Sequence, residues 1–183
     1  MKTTYNRNEA TFLDKLVGKL QLEDRRNLMI MRNFQWFMWI MAPLYLLIFI
    51  AAPFGEVNRY ERIGGICFSL AFLFFAFIFR KYKKVYSQVD YGLPTFKMLT
   101  LAVKRYNLHF SRIAMTLIPV LIIDLGMFFM SFPYDRFQDI IHFQVIYLGL
   151  IVVAIIAGMA IWRIREKPLR DAAKSLLSEL ELE

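Results

Sequence analysis

Four long apolar runs constrain this chain more than any other feature: Asn33–Pro53, Ile63–Phe79, Ile113–Phe132 and Ile140–Trp162. A helix crossing a hydrocarbon core about 30 Å thick needs about 17–25 mostly apolar residues. Each run has that length, the second being the shortest. Core helices of a soluble bundle would keep a polar face at helical spacing, whereas "CFSLAFLFFAFIF" (67–79) has almost none. The runs raise the apolar share to 58%, above the roughly 45–50% of soluble domains. The expected fold is all-α: a polytopic membrane protein whose four transmembrane helices form two hairpins, 33–79 and 113–162.

The first run follows a stretch containing Glu9, Asp14, Glu23 and Asp24 and is too long for a signal-peptide core, so it reads as an uncleaved span. Cys67 is the only cysteine, which excludes an internal disulfide.

The charges set the expected orientation. Residues 1–32 carry seven Lys/Arg, 80–112 carry eight, and the tail 163–183 carries five. The two short connections hold three basic residues (Arg59, Arg62, Arg136) against four acids (Glu56, Glu61, Asp135, Asp139). Positive charge beside span ends stays in the cytoplasm, so both termini and the 80–112 loop are expected inside. Trp36, Trp39 and Trp162 fall at the inner ends and Tyr60 and Tyr134 at the outer ends, where aromatic rings anchor. Each first span contains a proline, Pro43 or Pro119, a layout that an internal duplication would produce.

Three amphipathic stretches flank the spans. In 95–112, after the turn-like "YGLP", residues Phe96, Leu99, Val103, Tyr106 and Phe110 share one side of a helix, and Lys97, Lys104, Arg105 and Arg112 the other. Such a helix either lies in the interface against anionic lipid headgroups or packs on a neighbour. In the tail, Pro168 suits a helix start, and Leu169, Ala173, Leu176 and Leu180 form a stripe that needs covering by this chain, a second copy or a protein partner. Phe12, Leu13, Leu16, Val17 and Leu20 form a third apolar face, interrupted by Gly18. The basic residues hug the span ends, where topology requires them, so no nucleic-acid partner is expected.

Within the spans, "IPVLIIDLGMFFM" (118–130) buries a carboxylate. Tyr45, Ser69 and Tyr147 lie at the depth of Asp124 in the other spans. An unpaired carboxylate in hydrocarbon is costly and lowers the cost by taking a proton and hydrogen bonds. A neutral Asp124 bonded to Tyr45, Tyr147 or Ser69 is therefore expected, either fixing helix packing or serving as a proton or ligand site. Gly65, Ser69, Phe72 and Ala76 share a face of the second span, and Ala154 and Gly158 form a small-xxx-small pair.

Chemistry-bearing motifs are missing. His109 and His142 fall on opposite sides of the expected membrane, no metal-ligand spacing occurs, and Ser69 has no base nearby. Neither an enzyme nor a cofactor is expected. The stretches "VDYGLPTFKML" (89–99) and "KPLRDAAKSLLSELE" (167–181), with the layout around them, resemble small uncharacterised four-span inner-membrane proteins of Bacteroidota-type bacteria. That resemblance implies architecture and a bacterial cytoplasmic membrane, and carries no activity. The favoured reading is a non-enzymatic regulatory or scaffolding protein working through its cytoplasmic helices. The alternative is a small oligomeric transporter or channel component using Asp124.

Overall fold

The structure, a computed structural model, describes residues 2–51, 57–107, 110–132 and 137–180, with side chains placed for 12–51, 57–107, 113–132 and 141–180. The described residues are helical almost throughout, with no strand among them: α1 (Lys2–Ile50), α2 (Arg59–Ser87), α3 (Thr95–Tyr106), α4 (Phe110–Ser131), α5 (Phe137–Ile161), one π-helical turn (Trp162–Glu166) and α6 (Lys167–Leu180). Four helices are long and apolar enough to cross a membrane, at Phe12–Ile50, Arg59–Ser87, Ile113–Ser131 and Ile141–Leu180. These carry the four apolar runs and are compatible with a multi-pass membrane protein. Pro53, Glu56, Tyr134, Asp135, Arg136, His109 and the side chains of Phe110, Arg112 and Asp139 lie outside the described residues.

Helix starts follow local chemistry. Asn58 precedes α2, and its backbone N–H donates to Glu61 Oε2 at 3.1 Å, the reach-back of a capping box. Before α3, Asp90 Oδ1 accepts from the Gly92 N–H at 2.8 Å, turning the chain into "YGLP"; Pro94 then supplies the first carbonyl, bonded by the Met98 N–H at 3.0 Å. Pro43 and Pro119 lie inside α1 and α4, where each removes one ladder donor.

The chain divides into two units, one from Met1–Met29, Lys83–Leu108 and Ile156–Glu183, the other from Ile30–Tyr82 and His109–Ile155. The first has a core of Leu16 and Leu20 from α1, Met98, Leu99, Ala102 and Tyr106 from α3, and Ala173 from α6. Val17, Val103, Leu169 and Leu176 pack against it. Burying a Leu-sized side chain is worth about 1.5–3 kcal/mol, so Leu20 and Leu99, both at 0% exposure, hold the three segments together.

In the second unit, close approach comes from glycine. A methyl group at Gly65 would meet Phe49 Cβ at 2.3 Å, and one at Gly64 would meet the Gly126 carbonyl oxygen at 2.8 Å. Two hydroxyls cross between helices onto carbonyls beside the prolines: Ser69 donates to Ala42 O at 2.8 Å and Tyr147 to Val120 O at 2.9 Å. Each pair spans 27 residues, tying α1 to α2 and α4 to α5. Ala154 is exposed, and nothing lies within 4 Å of a methyl at Gly158. Among the described residues no other helix closes onto Gly158.

Candidate functional site

The residues that gather most polar chemistry belong to the first unit, and they centre on Asp24. The packed face of α1 runs Leu16, Leu20, then Glu23, Asp24 and Asn27, all buried, at the spacing that keeps one helix side inward. The face turns from apolar to polar within one turn, so the partners must supply donors.

They do. The Asp24 carboxylate is 4% exposed. Its Oδ1 accepts from the Tyr106 hydroxyl at 2.6 Å. Its Oδ2 accepts from Arg105 Nη2 at 2.7 Å and from the Tyr91 hydroxyl. Next to it, Arg165 of the π-helical turn donates to Glu23 Oε2 at 3.0 Å, and the Asn27 amide donates to Glu166 Oε1 at 3.3 Å. The Trp162 indole N–H bonds the carbonyl of Tyr106 at 3.0 Å, satisfying one of the carbonyls that the end of α3 leaves open. The Arg170 guanidinium lies 5.3 Å from the Trp162 ring centre, within cation–π range.

Burial first, and then the hydrogen bond to Asp24 and its negative charge, push the phenols of Tyr91 and Tyr106 well above the usual tyrosine range, against the opposing charge of Arg105. Free tyrosine titrates near about 10. Folded values raised above that mean that the stabilising contribution is whole below pH about 10 and is lost as pH climbs from there through the folded values. Thermal unfolding of the detergent-solubilised chain should therefore show stability falling above pH about 10. The Tyr91→Phe/Tyr106→Phe variant, lacking both phenols, should show a flatter alkaline limb; an identical limb would locate the loss elsewhere.

The residues of the amphipathic stretches divide between buried and exposed. Leu99, Tyr106 and Ala173 are buried, and Val103, Leu169 and Leu176 half-buried. Phe96 is 49% and Leu180 42% exposed, and Lys97 and Lys104 face outward. Arg105 corrects the helical wheel: expected on the outer basic side, it is 8% exposed because Asp24 draws it in. The packed side of α3 is accordingly turned toward Met98, Ala102 and Arg105.

The intramembrane set does not assemble as expected. Ser69 and Tyr147 spend their hydroxyls on Ala42 and Val120 carbonyls. Tyr45 instead stacks among Phe49, Phe68 and Phe72, with ring centres 5.1–5.9 Å away. A carbonyl has a second lone pair beyond its helical bond, which can take such a donor. Asp124 Oδ1 is buried with no hydrogen-bond partner among the described residues.

Among the described residues no group of three or more His, Cys, Asp or Glu side chains is placed to hold a metal ion. Fold and site define an all-helical protein with four helices able to cross a membrane and a polar junction at Asp24. Compared with protein-family models, curated proteins and solved structures, the chain matches none.

Proposed function

We propose that this is a non-enzymatic regulatory or scaffolding protein of a bacterial cytoplasmic membrane, two transmembrane hairpins with both termini inside, which meets anionic lipid headgroups through the outer face of α3. One observation carries the reading. With Leu99 and Tyr106 occupied inside the unit, α3 still presents Phe96 (49% exposed) and Leu101 (44%), with Lys97 and Lys104 exposed beside them. Apolar side chains flanked by lysines suit the headgroup region, where each cation near an anionic surface adds about 1 kcal/mol. The tail stripe, by contrast, is engaged against the unit's own core through Leu169, Ala173 and Leu176.

The test is a photoreactive residue at Phe96 in native membranes. Anionic-lipid adducts that drop in a Lys97→Glu/Lys104→Glu variant are the expected result, with the drop reproduced by high salt because surface charge is screened. A recurrent protein adduct insensitive to both changes would replace the lipid with a protein partner. Adducts with zwitterionic and anionic lipid in bulk proportion would remove the charge argument.

A further inference from the structure

Helix α1 sorts its charges by side. Among residues 12–29, Glu23 and Asp24 turn inward with Leu16, Leu20 and Asn27. Arginines from two distant stretches take both acids, Arg165 at Glu23 and Arg105 at Asp24. Lys15, Lys19, Arg25 and Arg26 turn outward and are exposed. Asp14, also exposed, stands at the rim of that outer side, roughly 80° around the helix from Leu22 at about 100° per residue. Among the cations stand two apolar side chains, Leu22 at 72% and Met29 at 54% exposure. Lys15, Gly18, Leu22, Arg25 and Met29 follow one another at steps of 3, 4, 3 and 4, the spacing of a helix-pairing seam, with Lys19 and Arg26 along one flank. Among the described residues nothing lies within 4 Å of a methyl at Gly18, so the seam is uncovered there.

Membrane topology accounts for the number of these cations but not for their arrangement. The positive-inside rule counts lysines and arginines near a span end whichever side of the helix they take, and it gives no reason for a leucine exposed at 72% between them. The bilayer does not cover them either. About 20 residues fill a hydrocarbon core, whereas α1 runs unbroken for 49. A helix that crosses the membrane unbroken carries its remainder off the surface, while a face held by headgroups lies in the membrane plane. A second copy turned to this side would set cation against cation, which is strongly unfavourable. Nucleic acid would match the charge through its phosphates alone and leave Leu22 and Met29 without a role. The chemistry that answers both the charge and the apolar pair is a helix with an apolar stripe flanked by carboxylates.

We propose that the outer face of α1 from Lys15 to Met29 docks an acidic amphipathic helix of a partner protein. The apolar stripe of that helix lies on Leu22 and Met29, and its carboxylates pair with Lys19 and Arg26 as flanking charges pair across a coiled coil. Lys15 and Arg25 add attraction in the encounter. The two acids of α1 that would repel such a partner are held on the opposite side by Arg105 and Arg165, so the junction at Asp24 keeps the outer face basic. This face is separate from the outer side of α3, and the proposal stands whichever partner α3 meets.

Fluorescence anisotropy on the full chain in nanodiscs of zwitterionic lipid tests this. The probe is a synthetic helical peptide with leucines at alternating steps of three and four and glutamates on both flanks. It should bind, and a peptide of the same composition with the leucines scattered should bind about tenfold more weakly. Leu22→Ser/Met29→Ser should lose about tenfold in affinity with unfolding unchanged, since both side chains are exposed. Lys19→Glu/Arg26→Glu should lose the glutamate peptide and gain its lysine counterpart, a swap that general loss of structure does not produce. Equal binding of the two glutamate peptides would mean charge attraction without a docked helix. A DNA duplex that binds more tightly than the peptide, and equally well to Leu22→Ser/Met29→Ser, would make the partner a nucleic acid. Vesicles of anionic lipid that behave in that way would make it a membrane. No binding of the glutamate peptide would leave a solvated face. Each of these four overturns the proposal.

Discussion

Asp24→Asn should destabilise the first unit by about 3–5 kcal/mol, the cost of removing one member of a buried ion pair. Asparagine keeps a single acceptor oxygen, so its NH2 must face either Tyr106 on the Oδ1 side or Tyr91 and Arg105 on the Oδ2 side, and Arg105, at 8% exposure, loses the negative charge beside it. Hydrogen exchange of the α3 amides in the full chain should report the change as faster opening. Adding Arg105→Met to Asp24→Asn should restore part of the loss, because the buried cation leaves as well. A double variant no better than the single one would show that Arg105 reaches water when Asp24 is neutralised, and that packing rather than charge holds this junction.

The second large effect is expected at the glycines of α2. A methyl at Gly65 would sit 2.3 Å from Phe49 Cβ and 2.6 Å from its Cγ. That is the root of the side chain and not a flexible end, so α1 and α2 must part. At Gly64 the obstacles are Met130 Cγ at 2.5 Å and the Gly126 carbonyl at 2.8 Å. Overpacking costs typically about 1–3 kcal/mol, so Gly65→Ala and Gly64→Ala should each lower thermal stability in detergent by that order, with leucine worse at both. Gly149→Ala, with nothing within 4 Å, should stay within about 0.5 kcal/mol of the parent. Equal losses at Gly149 and Gly65 would sink the packing explanation.

The apolar helices were legible because each run is long and lacks a polar face, a signal that survives any tertiary arrangement. The tail stripe was legible too, since Leu169, Ala173 and Leu176 repeat at helical spacing. The junction at Asp24 was not. Its donors lie 67 and 82 residues away at Tyr91 and Tyr106, and no local pattern pairs them. One signal was present: Asp24 continues the Leu16–Leu20 stripe by one more helical step, which a reading that stops at the last apolar residue misses. Arg105 was misplaced for the same reason, since a helical wheel assigns every cation to solvent. The polar residues of the spans were found, but their partners were not, because hydroxyls that lie level with Asp124 chose backbone carbonyls.

The origin of the first unit in three distant stretches also decides when it can form during synthesis. Leu16, Leu20, Glu23 and Asp24 leave the ribosome first, Arg105 and Tyr106 follow two apolar runs later, and Arg165 and Ala173 come after the last run ends at Trp162. Until then Glu23 lacks its arginine and the Leu20–Leu99 core lacks Ala173. The nascent chain thus cannot close this unit before all four apolar runs have been made. The face of α3 that carries Lys97 and Lys104 therefore gains its full support only after the stretch through Ala173 has been made.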